Sequence, residues 1–163
     1  MNTEMNQKKV NYKMLALYII LALAAGGIGA LLGGKMDHFE TINKPWFSPP
    51  AILFPIVWTI LYILMGISSY LICSNKTDEK FKKRAGTIYI IQLIVNSLWT
   101  LFFFRLKWYL FAFIWLLLLI LLVVIMIFKF YNIKPLAGYL QIPYILWISF
   151  AAILNFAIYN LNK

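Results

Sequence analysis

The stretch "WYLFAFIWLLLLILLVVIMIF", residues 108–128, contains no charged residue and is bounded by Lys107 and Lys129. A helix rises about 1.5 Å per residue, so a run of this length crosses the roughly 30 Å of hydrocarbon in a bilayer. Four more charge-free windows lie at 14–34, 45–75, 85–104 and 135–162. None shows the alternation of a barrel strand. The windows predict an all-α integral membrane bundle of five transmembrane helices, over about 14–33, 52–73, 86–104, 108–130 and 136–160, in one domain spanning 1–163.

Composition agrees. The 163 residues are 63% hydrophobic and 12% charged, with a mean hydropathy of +0.82. Soluble domains are nearer 25% charged, and a chain this small has no interior large enough to hide so much apolar surface from water. The net charge of +10 comes from cations flanking the apolar windows, which is the pattern of juxtamembrane anchors and not of a nucleic-acid partner. With one cysteine, Cys73, and one histidine, His38, neither an intramolecular disulfide nor a Cys/His metal cluster is expected. The first apolar run is too long for a cleaved signal peptide.

Cation counts set an expected orientation. The N-terminus and the second and fourth loops carry Lys8, Lys9, Lys13, Lys76, Lys80, Lys82, Lys83, Arg84, Lys129 and Lys134. The opposite side carries Lys35, Lys44, Arg105, Lys107 and Lys163. The bias places the N-terminus in the cytoplasm and the first loop outside, in a multi-pass protein of the cell membrane.

No Asp, Glu, Lys, Arg or His falls inside a window, which argues against ion pumps and proton relays. It also leaves no paired carboxylates and no Ser-His-Asp or Cys-His set, so no catalytic residue is assigned. Small residues recur in "GGIGALLGG", where Gly26 and Ala30, and Gly29 and Gly33, stack four apart and permit close approach of a backbone or a flat ligand. On the third span Gln92, Asn96 and Thr100 share a face, with Trp99 beside it. Phe54, Trp58 and Tyr62 line one face of the second span, and Tyr144, Trp147, Ala151 and Asn155 one face of the fifth. Two readings of the amides stand side by side: interhelical hydrogen bonds, or polar points in a cavity walled by Trp58, Trp99 and Trp147. Trp46 and Trp108 fit the interfacial belt.

The segment "NKPWFSPPAILFP", residues 43–55, precedes the second span. Proline fixes φ and pushes the residue before it into extended geometry. Lys44, Pro45, Trp46, Phe47, Pro49 and Pro50 are therefore expected to form a stiff cover, with the rings of Trp46, Phe47 and Phe54 facing an opening between helices.

"KPWFSPP", "FPIVWTILYILMGISSYL", "QLIVNSLWTLFFF" and "PYILWISFAAILN" resemble, in order and spacing, the translocator protein (TspO/MBR) family over about residues 14–162. The resemblance implies a five-helix membrane fold, often a homodimer, whose central pocket lies under the first loop. It further implies binding of porphyrins (protoporphyrin IX or haem-like), of isoquinoline- or benzodiazepine-type ligands and, in animal members, of cholesterol, with no required cofactor. Carried over by position, the implied ligand-lining residues are Ala30, Trp58, Asn96, Trp99, Trp147, Phe150, Ala151 and Leu154. The family's cover reads Lys-Pro-x-Trp-x-Pro-Pro, whereas here the tryptophan stands one place early at Trp46 and Phe47 holds its slot. Many members carry an acid in the fourth helix where this chain has Trp115, so no role of that acid transfers. Leu154, Tyr159 and Lys163 fit a loose sterol pattern. The expected function is a membrane-embedded sensor or carrier of flat hydrophobic ligands. The alternatives are a light- or oxygen-dependent porphyrin-degrading enzyme using Trp58 and Trp147 as redox-active rings, and a facilitative transporter of tetrapyrroles or lipids.

Overall fold

The computed structural model describes residues 10–34, 39 and 41–163. Glu4, Lys8, Lys9, Lys35, Asp37, His38 and Glu40, which entered the charge and metal reasoning above, lie outside the described residues. The architecture is all-helical, with five spans long and apolar enough to cross a membrane.

Helix α1 covers Tyr12–Gly33. Asn11 starts it by accepting a hydrogen bond from the Met14 N–H at 3.2 Å. Gly34 stops it with φ of 72°, a left-handed value that a residue without Cβ reaches at little cost. Helix α2 covers Leu53–Cys73, with Pro55 in its first turn, where a missing N–H costs least. Helix α3 covers Glu79–Thr100 and continues as a π-helical turn over Leu101–Arg105. It begins inside the basic segment between the second and third charge-free windows. Asp78 caps the Lys80 N–H at 2.9 Å, and Glu79 pairs with Lys82, so local capping extends the helix beyond the apolar window.

Helix α4 covers Tyr109–Ile133. It ends where Lys134, extended ahead of Pro135, cannot continue it. The fifth span is not one helix. A short α5, Pro135–Tyr139, is followed by a break at Leu140–Gln141 and then by α6, Ile142–Leu161, with Pro143 in its first turn.

α1 packs on α2 and α3, while α4 packs on α3, α5 and α6. The glycines of α1 decide the first contacts. A Cβ on Gly29 would stand 3.3 Å from Ser97 Cα, and one on Gly33 would stand 3.2 Å from Thr100 Cβ. At this range Ser97 Oγ donates to the Ala25 carbonyl (2.9 Å) and Thr100 Oγ1 to the Gly29 carbonyl (2.6 Å). Small residues admit the backbone, and neighbouring hydroxyls then hold it. α2 offers α1 a matching gap at Gly66, where a Cβ would fall 2.5 Å from Ile19 Cα.

The polarity of the bundle is inverted relative to a soluble protein. Leu31, Phe128 and Leu146 are exposed outward, whereas Ser68, Gln92, Asn96, Gln141 and Asn155 are buried. An outer surface of this kind suits lipid, which is as apolar as the side chains that meet it.

Candidate functional site

A cavity of about 300 Å³ lies between α1, α2 and α3. Gly26, Gly27, Ala30 and Gly34 form its α1 wall. Phe54, Pro55, Trp58, Thr59 and Tyr62 form the α2 wall, and Asn96, Trp99, Thr100 and Phe104 close it from α3 and the π-turn. The run of small residues on α1 beyond Leu23 makes the room. The Tyr62 ring lies against Gly26, and any Cβ there would collide with it. Trp58 stacks on Tyr62 with centroids 5.6 Å apart, and Trp99 stacks on Phe103 at 5.2 Å. Gly27, Ala30 and Gly34 are exposed on one side and Pro55 and Thr59 on the other, so the cavity opens sideways between α1 and α2.

Asn96 is the polar point of this wall. It is buried, and its Nδ2 donates to Tyr62 Oη at 3.0 Å. The other amides make interhelical bonds as well. Tyr144 Oη donates to Gln92 Oε1 at 2.9 Å, and Asn155 Nδ2 donates to the Tyr109 carbonyl at 3.2 Å. Both readings of Asn96 therefore hold at once, because it joins two helices and faces the cavity.

Of the residues expected from the sequence, Ala30, Trp58, Asn96 and Trp99 line this cavity together. Trp147 and Phe150 do not. They line a second space of about 340 Å³ on the outer side of α2 and α6, with Val57, Ile60, Leu61, Pro143 and Leu146. Phe54 stands between the two spaces, edge-on to Trp147. Ala151 and Leu154 are buried in the packed core. In the loose sterol pattern, Leu154 turns into the bundle, Tyr159 is half-buried and Lys163 is exposed.

The cover over Lys44–Pro50 is a turned segment, closed by the Ser48 N–H donating to the Pro45 carbonyl at 3.0 Å. Its two rings meet edge to face, with centroids 5.7 Å apart, but differ in burial. Phe47 packs edge-on against Phe150 at 6.4 Å, while Trp46 is 95% exposed. The expectation that both rings face the bundle is corrected for Trp46: Phe47 takes the inward place against Phe150, and Trp46 meets Phe47 edge to face from the outer side and stays exposed. Lys44 Nζ sits 4.9 Å over the Phe39 ring, which packs on Phe54 and Phe104 at the end of the cavity. Trp115 makes its own bond, Nε1 donating to the Val95 carbonyl at 2.8 Å.

Two features escaped the sequence reading. Phe39 falls in a stretch of sequence without apolar periodicity, so no signal marked it as buried. The other is a clasp between the first loop and the end of α6. The Asn43 N–H donates to Asn162 Oδ1 (3.1 Å), Asn162 Nδ2 donates to the Asn43 carbonyl (2.9 Å), and Asn43 Nδ2 donates to the Leu161 carbonyl (3.4 Å). Two asparagines at such separation in sequence carry no mutual signature.

The chain is similar in sequence to known proteins over most of its length. It is 32% identical to Protein CrtK of Rhodobacter capsulatus over 149 residues, which cover 91% of this chain and 92% of that protein. It is 35% identical to the Tryptophan-rich protein TspO of Chlorobaculum tepidum, covering 91% and 95% of the two chains. It is 30% identical to the Translocator protein of Homo sapiens, covering 85% and 86%. The TspO/MBR family matches residues 17–161, which hold most of the first span, the other four, the cover and the aromatic cavity, and this multi-pass membrane protein belongs to that family.

Proposed function

We propose that the protein is a membrane-embedded binding protein, a sensor or carrier, for porphyrins and other flat hydrophobic ligands. The observation that carries this reading is the cavity between α1, α2 and α3, with stacked rings on one wall and bare glycine backbone on the other. A slot of this kind favours a planar molecule, since both faces of the ligand meet flat surfaces and Asn96 supplies a sparse polar contact. The lateral opening between α1 and α2 suits a ligand that partitions into lipid first. At about 300 Å³ the cavity is at the small end of ligand pockets, so a macrocycle has to widen it. Relatives named tryptophan-rich sensory protein and translocator protein are consistent with a binding role.

Titration of the purified protein in detergent with protoporphyrin IX tests this reading. Saturable quenching of tryptophan fluorescence, equal in the dark and in light and with no new absorbing product over time, is the expected result. Loss of the porphyrin bands in light would favour the degrading enzyme, and no saturable quenching would overturn the reading.

A further inference from the structure

We propose that the bundle holds a second, polar binding site, for ordered water, at the end where α4 passes into α5, built from Gln141, Gln92 and Tyr89. Gln141 occupies the break between α5 and α6, at the position that usually caps a helix. It makes no cap hydrogen bond. Its side chain is instead turned into the protein with 0% exposure, and neither Oε1 nor Nε2 has a hydrogen-bond partner. Gln92 is also 0% exposed. Its Oε1 accepts from Tyr144, and its Nε2 is unpartnered. Tyr89, 7% exposed, has an unpartnered hydroxyl.

These groups belong to one neighbourhood. Tyr144 lies one turn beyond Gln141 on α6, and Tyr89 one turn before Gln92 on α3, so each pair shares a helix face. The Tyr144–Gln92 hydrogen bond joins the two faces. Buried amides and hydroxyls are nearly always paired, and those that find no protein partner are paired by internal water making two to four bonds. Gln141 presents an acceptor and a donor side by side, Gln92 adds a donor, and Tyr89 adds a hydroxyl that serves as either. Water matches that mixed set at the smallest size. The site is distinct from the aromatic cavity, whose lining includes none of Gln141, Gln92 and Tyr89. The α5–α6 break is thus held through water where α1 and α3 use a capping side chain.

The test uses the full chain in lipid bilayers with ¹⁵N-labelled glutamine and water-edited solid-state NMR. Magnetisation is expected to pass from water protons to the side-chain NH₂ of both Gln141 and Gln92. In parallel, Gln141→Leu is expected to lower the melting temperature by several degrees, because it removes two anchoring groups and strands the rest. In a dry site the same change would remove unsatisfied polar atoms and raise it. No transfer at either glutamine, or a melting temperature of the Leu variant equal to or above that of the parent, overturns the proposal. If that variant fails to fold, the transfer measurement on the unaltered chain decides.

Discussion

Phe54 and Trp147 meet edge to face across α2 and α6, with centroids 5.9 Å apart and planes at 68°. This pair partitions the aromatic cavity from the space beside α6, and it separates Trp58 from Trp147, which the sequence places on one wall. Phe54→Ala is expected to join the two spaces and tighten binding of a macrocycle relative to a smaller planar ligand. Truncating a buried phenylalanine costs about 3–5 kcal/mol of stability, so Phe54→Leu is the milder companion. Fluorescence titrations with ligands of two sizes measure the ratio. An unchanged ratio in both variants would show that Phe54 is not the partition.

Trp58→Ala is expected to weaken binding of any planar ligand by about 1–3 kcal/mol, on the scale of base–aromatic stacking. Trp147→Ala, one layer behind, is expected to weaken macrocycle binding while sparing smaller ligands. Equal losses for both ligands at Trp147 would place its indole directly on the cavity wall.

The glycines separate close approach from open space. At Gly66 an added Cβ meets the backbone of Ile19, so Gly66→Ala is expected to push α1 off α2 and cost about 1–3 kcal/mol. Gly27 has nothing within 4 Å of the added atom, and Gly27→Ala is expected to leave the melting temperature unchanged or slightly raised. Thermal melts in detergent compare the two.

Asn162→Ala removes two of the hydrogen bonds that clasp the first loop to α6. Exposed bonds contribute on the order of 0.5–1 kcal/mol each, so ligand dissociation is expected to quicken several-fold with little change in melting temperature. Pro49→Gly with Pro50→Gly is expected to act in the same direction by loosening the cover. Stopped-flow displacement reads the rate, and an unaltered rate in both would remove the cover from the exit path.

The cation bias is expected to place the first loop outside the cytoplasm and the second inside. In a Cys73→Ser background, Trp46→Cys, at a fully exposed position, should react with an impermeant maleimide in whole cells, and Thr77→Cys should not. The reverse labelling pattern would invert the topology.

Much of this protein is legible without coordinates, because a bilayer imposes a one-dimensional rule. Each crossing needs about 20 apolar residues whatever its neighbours do. The five charge-free windows therefore found the five spans. Helix periodicity put Asn96 beside Trp99, and Phe54, Trp58 and Tyr62 in a row, since those relations are local to one helix. Ends depended on local geometry: Asp78 carried α3 into the basic segment, Lys134 ended α4, and the break at Leu140–Gln141 divided the last span, where hydropathy has no voice.

Tertiary structure alone decided what lies between helices. The sequence places Trp147 and Trp58 on faces turned inward, but only packing inserted Phe54 between them. The order of Trp46 and Phe47 does not say which ring faces Phe150, because that depends on the direction of a loop held at Asn162. Burial of Gln141 is likewise invisible in a window that reads as one unbroken apolar helix. Span number and face are properties of one helix in lipid, whereas partition, cover and buried polar contacts come from side chains far apart in sequence sharing the same volume.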